Sequence, residues 1–135
     1  MPRDRGVQVF SYRERGSSCT YDAYICYHGT DAMNVESILE HGFQKSSGRG
    51  NMLGKGIYVS RNPKKAEYYG NVTLKLVAYM GYVKAIDCQG HPLQKSWQER
   101  GYDSAWVPPH CGMVASGREE TCLKEPWQVQ VLGVR

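Results

Sequence analysis

Ala23 to Tyr27 form an unbroken aromatic and β-branched run, Ala-Tyr-Ile-Cys-Tyr, which predicts a buried strand ending on His28-Gly29-Thr30. After Asp31, a candidate cap, the apolar positions Val35, Ile38 and Leu39 recur at helical spacing and Gly42 supplies a stop. One amphipathic helix is therefore expected behind the first strand. Residues 46–51 are a loop by composition, and Ile57, Tyr58 and Val59 predict a strand over Gly56–Ser60. Asn62 followed by Pro63 is a helix-start signal, giving a short helix over Lys64–Tyr69 that ends at Gly70. Val72 to Asp87 alternates apolar residues as one long central strand or two strands bent near Gly81. A turn at Gly90-His91-Pro92 precedes a helical segment over Leu93–Arg100, and then a strand over Tyr102–Val107 that Pro108 and Pro109 end. Glu120–Lys124 and Gln128–Val134 are the last two strands, separated by Glu125-Pro126-Trp127. These elements add up to a sheet-dominated α+β domain with two or three short helices.

Composition narrows the class. At 135 residues, with 41% hydrophobic and 22% charged residues, the chain fits one domain with one core, spanning 21–135 behind a flexible segment 1–20 that holds at most one short strand. No window approaches the roughly 18 apolar residues a membrane span needs, so no membrane association is expected. Five cysteines, with no Cys-x-x-Cys unit, disfavour a disulfide framework and favour a reducing, cytoplasmic setting. The net charge of +4 is scattered, which suits an anionic small molecule better than a dedicated nucleic-acid surface. A metal site built from Cys88-x-x-His91 and His110-Cys111 is disfavoured, because adjacent His and Cys side chains do not easily aim at one ion.

Three features remain as candidate chemistry: His28-Gly29-Thr30 ending a strand, Gly54-Lys55-Gly56-Ile57-Tyr58-Val59-Ser60 opening another, and Glu119-Glu120 opening a third. Singly, each has an ordinary explanation: a hydrogen-bonded structural histidine, a Gly-x-Gly turn, a core tyrosine, a solvated acidic pair. Their order gives them weight. His-Gly-Thr after an aromatic strand, a helix ending in Gly42-Phe43, then Met52-Leu53-Gly54-Lys55-Gly56-Ile57-Tyr58-Val59-Ser60, closely resembles the catalytic domain of poly(ADP-ribose) polymerases. Tyr102-Asp103-Ser104-Ala105 is similar to a further strand of that family, and Glu120 stands eight residues before Gln128, as the family's catalytic glutamate stands before a glutamine. Within the family, His91 to Trp97, Trp106-Val107-Pro108-Pro109 and Cys111-Gly112-Met113-Val114 are similar to interferon-responsive, reovirus-induced PARP-like proteins of fish.

The resemblance implies an ADP-ribosyltransferase fold of twisted, mostly antiparallel sheets, with NAD as substrate and a protein or nucleic-acid acceptor. It assigns His28 to the adenosine-side ribose, Gly29 to the nicotinamide carboxamide, Tyr58 to one face of the nicotinamide ring and Glu120 to catalysis. Thr30, Gly56 and Ser60 fall with them in the cofactor-binding segments. The second ring-covering aromatic is Tyr69 by its distance from Tyr58, or Tyr68 by its local pattern through Ala66. Strand alternation lets only one of Glu119 and Glu120 face the cleft, and the spacing to Gln128 selects Glu120. Where the family has a serine for the carboxamide, this chain has Lys65 or Ala66. The short chain argues for mono-ADP-ribosylation, the oligomeric state stays open with a monomer expected, and the fish proteins imply a role in antiviral defence. Two alternatives follow: a non-catalytic NAD or ADP-ribose module, or an RNA 2'-phosphotransferase that grips phosphate through Arg49 and Arg61.

Overall fold

Residues 8–13, 20–45 and 52–135 are described by a computed structural model. The first strand, β1 (Gln8–Arg13), pairs antiparallel with β2 (Thr20–Thr30), so His28, Gly29 and Thr30 lie inside a paired strand rather than beyond its end. The remaining residues of segment 1–20, and loop 46–51 with Arg49, lie outside the described residues.

Helix α1 (Ala32–His41) starts where expected, but Asp31 makes no side-chain cap. Asn71 Oδ1 accepts the Ala32 N–H instead, at 3.0 Å, so the cap comes from a loop distant in sequence. Gly42 closes the helix by donating its N–H to the Ile38 carbonyl at 2.8 Å. Val35 and Ile38 pack against the core, whereas Leu39 is 60% exposed; the buried stripe is narrower than the sequence suggests.

β3 (Ile57–Val59) leads into α2 (Pro63–Ala66), where Asn62 accepts the Lys64 N–H as a true N-cap at 3.0 Å. The helix expected over Lys64–Tyr69 tightens after one turn into a 3-10 turn over Glu67–Tyr69. The apolar stretch from Val72 to Asp87 divides into β4 (Val72–Tyr79) and β5 (Val83–Ala85), which belong to different sheets. Gly81 makes the break at φ 61°, where a side chain would meet the Asp103 carboxylate 2.3 Å away. The expected helix over Leu93–Arg100 reduces to a 3-10 turn over Trp97–Arg100. Burial overrides local propensity there: Trp97 is fully buried and its indole N–H donates to the Leu53 carbonyl at 2.8 Å. β6 (Ser104–Val107), β7 (Glu120–Leu123) and β8 (Val129–Val134) complete the chain.

The strands form two sheets, in the orders β1-β2-β4-β8 and β3-β7-β6-β5; every pairing is antiparallel except β5 with β6. This is the α+β architecture the sequence predicts. Tyr24, Cys26, Leu74, Leu76 and Ala78 on the first sheet share a core with Ile57, Val59 and Leu123 on the second. The other face of the second sheet packs Ala105, Val107 and Cys122 against Leu53, Ile86 and Trp97. Alternation along β3 and β7 therefore sends Tyr58, Glu120 and Cys122 to the face away from the shared core. No described helix is long and apolar enough to cross a membrane.

Gln128 fastens the ends of these strands. Its carbonyl oxygen accepts the Glu125 N–H at 2.8 Å, and its amide donates to the Tyr79 and Asp103 carbonyls at 2.9 and 3.0 Å. The glutamine whose spacing singled out Glu120 thus serves the scaffold. Replacing Gln128 with Leu leaves three partly buried backbone groups without that partner, and is expected to lower stability by about 2 kcal/mol in urea unfolding.

Candidate functional site

The two sheets meet at a short backbone bridge. Tyr27 N–H donates to the Ser60 carbonyl at 2.7 Å and Ser60 N–H to the Tyr27 carbonyl at 3.0 Å. One residue along β2, His28 Nδ1 lies 2.7 Å from the Tyr58 carbonyl oxygen. A carbonyl only accepts, so the Nδ1 proton is held there and Nε2 of the neutral ring is left as an acceptor. Burial pulls the His28 pKa below its ordinary value, the Tyr58 carbonyl opposing it, which keeps the ring neutral. Phe43 sets the ring's tilt through an edge contact at 4.9 Å.

Gly29 follows because α2 lies directly on the strand: a Cβ here would sit 1.8 Å from the Ala66 carbonyl oxygen. The Tyr58 phenol donates to the Gly54 carbonyl and accepts the Leu53 N–H, so the turn preceding β3 fixes its ring. Burial, with the Cys122 thiol beside it, drives the Tyr58 pKa strongly up, and this phenol is a hydrogen-bonded ring rather than a proton carrier. Cys122 itself is pushed up to about 12, chiefly by burial.

Glu120 opens β7 with only 5% of its surface exposed. Its carboxylate accepts the Tyr69 hydroxyl at 3.1 Å. Burial pushes the Glu120 pKa up, while the Lys65 charge and the Tyr69 hydrogen bond pull it back. The Lys65 ammonium lies 5.2 Å from the Tyr69 ring centroid and the side chain is buried. The Tyr69 pKa is raised as well, first by burial. His28, Gly29, Thr30, Gly56, Tyr58, Tyr69 and Glu120 line one cleft of about 420 Å³, whose opposite wall includes Asn34, Ser37 and Ile38 of α1. An acceptor nitrogen, two phenols and one carboxylate thus border a space that a planar, sugar-bearing ligand could enter.

Two expected binding residues lie elsewhere. Tyr68 is 70% exposed beneath the Arg118 guanidinium, because the 3-10 turn carries neighbouring tyrosines to different sides. Ser60 is buried outside the main cleft, its hydroxyl donating to the Glu119 carbonyl at 2.8 Å and accepting the Asn62 N–H at 3.1 Å. Glu119 is taken up by Arg61: Nε and the backbone N–H of Arg61 donate to Oε2 at 2.9 and 3.1 Å, and Nη2 donates to Oε1. With its side chain fully buried in that pair, Arg61 is not available to grip a phosphate. Among the described residues no group of three or more His, Cys, Asp or Glu side chains gathers. His91 Nδ1 instead accepts the Leu93 N–H at 3.0 Å.

Lys65 is the residue that sequence reasoning missed, having registered it only as a departure from serine. The signal was its place four residues before Tyr69, which puts both on one side of a helical turn. Cys122 follows in the same way, two residues beyond Glu120 on one strand face.

No curated protein matches the chain. The family model of the poly(ADP-ribose) polymerase catalytic domain matches residues 4–80, which hold His28, Tyr58, Lys65 and Tyr69, while Glu120 lies beyond the matched part. That family uses NAD as substrate and transfers ADP-ribose. With more than half its length matched and the α+β, mostly antiparallel architecture to go with it, the chain belongs to the poly(ADP-ribose) polymerase catalytic-domain family.

Proposed function

We propose that the domain binds NAD in the cleft between β2, β3 and β7 and transfers its ADP-ribose as single units to an acceptor nucleophile. The observation that carries this reading is the Glu120 carboxylate, held by the Tyr69 hydroxyl and the Lys65 charge in the cleft that His28 and Tyr58 line. Breaking the bond to nicotinamide builds positive charge on the ribose carbon, and a carboxylate as little exposed as Glu120 stabilises that charge strongly. Glu120 also accepts from a ribose hydroxyl and polarises the incoming nucleophile. His28 Nε2, free to accept, takes a hydroxyl of the adenosine-side ribose, and the Gly29 backbone takes the carboxamide. Tyr58 and Tyr69 cover the nicotinamide ring, with Thr30 and Gly56 shaping the walls.

The absence of a serine at Lys65 or Ala66 favours a second reading, a domain that binds NAD or ADP-ribose without turnover. Similarity to the reovirus-induced proteins extends the proposal to an intracellular antiviral response; sequence likeness supports that extension, not the geometry of the cleft.

With labelled NAD and a mixture of protein and nucleic-acid acceptors, label transfer and nicotinamide release are expected, and Glu120→Gln should reduce both by about 100-fold or more. NAD binding by calorimetry should survive that change and weaken in His28→Ala. Tight binding with no release in the parent protein selects the second reading, and release unaffected by Glu120→Gln removes Glu120 from catalysis.

The pKa of Glu120 adds a test of stability against pH. A carboxyl whose pKa is raised by folding stabilises the fold below its unfolded value, and that contribution is lost as pH rises through the folded value. Glu120→Gln is therefore expected to be at least as heat-stable as the parent at pH 8, with its advantage shrinking on acidification. Activity should run the other way, its acid limb lying above the ordinary carboxylate range because the ionised form does the work.

A further inference from the structure

Glu119, immediately before β7, turns its carboxylate to Arg61 rather than into the cleft that Glu120 lines, and both are only 5% exposed. Two neighbouring buried carboxylates are costly, and Glu119 is compensated fully. Arg61 grips it through Nε, Nη2 and its own backbone N–H, while the Trp106 indole N–H approaches Oε1 at 3.4 Å. The guanidinium sits between the Tyr24 ring at 5.4 Å and the Trp106 ring at 5.6 Å, which leaves it little freedom.

The pair's place in the chain gives it a consequence for chemistry. Glu119 immediately precedes Glu120. Arg61 stands between Ser60, which bridges to β2, and Asn62, which caps α2 and so sets the direction of Lys65 and Tyr69. One contact therefore fixes three parts of the cleft relative to each other: the strand end carrying Glu120, the turn carrying Tyr69 and the junction beside His28. We propose that the Arg61–Glu119 ion pair is a positioning element, holding the Glu120 carboxylate against the Tyr69 hydroxyl and the Lys65 charge for the transfer step. This rests on the reading of Glu120 given above. The two residues touch no substrate and act through the backbone they pin.

A displacement of about 1 Å in a reacting group can cost a hundredfold in rate, whereas ligand binding spread over the cleft tolerates it. The test removes both charges together as Arg61→Met with Glu119→Leu, since apolar replacement of a whole buried pair preserves stability better than breaking it. The Ser60 hydroxyl bond to the Glu119 carbonyl survives that change. The folded double variant should keep NAD affinity within about twofold and lose about tenfold to a hundredfold in kcat. Arg61→Lys, which keeps the charge and loses the fork, should lower kcat in the same direction by less. Unchanged kcat in either folded variant, or affinity and kcat falling together, overturns the proposal.

A second readout does not need turnover. The Glu120 carboxyl, followed by carbon-13 NMR, faces Lys65 and Tyr69 from α2 and the turn after it, Tyr58 from β3 and Cys122 from its own strand. Its titration midpoint should rise in the folded double variant as Lys65 and Tyr69 drift from it, and an unmoved midpoint overturns the positioning role. A parent protein without transferase activity but with that shift would sink the catalytic reading and leave the positioning intact.

Discussion

A carboxylate taken out of water must be compensated, and the cleft does this only in part for Glu120: one phenol hydroxyl and one nearby ammonium stand against its burial. Its neighbour Glu119 has a guanidinium fork and a backbone N–H. The contrast between these adjacent residues divides the start of β7 into a residue that holds the scaffold and one that faces the cleft. Complete pairing of Glu120 would satisfy its charge and leave none to stabilise a developing cation. Incomplete pairing costs stability and keeps the carboxylate's field available to a ligand.

The same economy governs His28 and Tyr58. Each has its polar atoms assigned to the backbone, His28 Nδ1 to the Tyr58 carbonyl and the Tyr58 hydroxyl to the Gly54–Leu53 turn. What each leaves toward the cleft is fixed in consequence: one acceptor nitrogen and one ring. Because the His28 contact crosses from the first sheet to the second, next to the Tyr27–Ser60 bridge, the residues that fix the site also join the two sheets. The geometry of the cleft and the docking of the sheets are a single structural fact.

Much of this was legible in the sequence. Tyr24 and Cys26 alternate with half-buried positions as a strand against a core demands, and the break at Gly81 was visible as one of two options. What local pattern missed was set by distant partners. Asp31 holds a cap position without capping because Asn71 supplies the acceptor, and Leu93–Arg100 yields to the burial of Trp97 beneath Leu53. Which of Tyr68 and Tyr69 lines the cleft depends on one tightened turn, which periodicity does not resolve. Gln128 entered as a spacing marker for Glu120, and its position in the sequence did not reveal that its amide clamps two strand ends, at Tyr79 and Asp103.

Lys65 shows why a departure from a family pattern should be placed in space before it is scored as a loss. Neither Lys65 nor Ala66 offers a serine hydroxyl, so any hold on a carboxamide passes to the Gly29 backbone. Yet Ala66 is the residue whose carbonyl comes so near Gly29 that no side chain fits between them. The small residue keeps α2 against the strand, and the buried lysine beside it brings a charge to Glu120 that a serine would lack. On the proposed reading, polar function thus moves from the ligand's amide end toward the carboxylate. On the same reading the lysine's charge opposes the burial that pushes the Glu120 pKa up, and so favours the ionised form that would meet a developing cation, an interaction that serves turnover more than affinity.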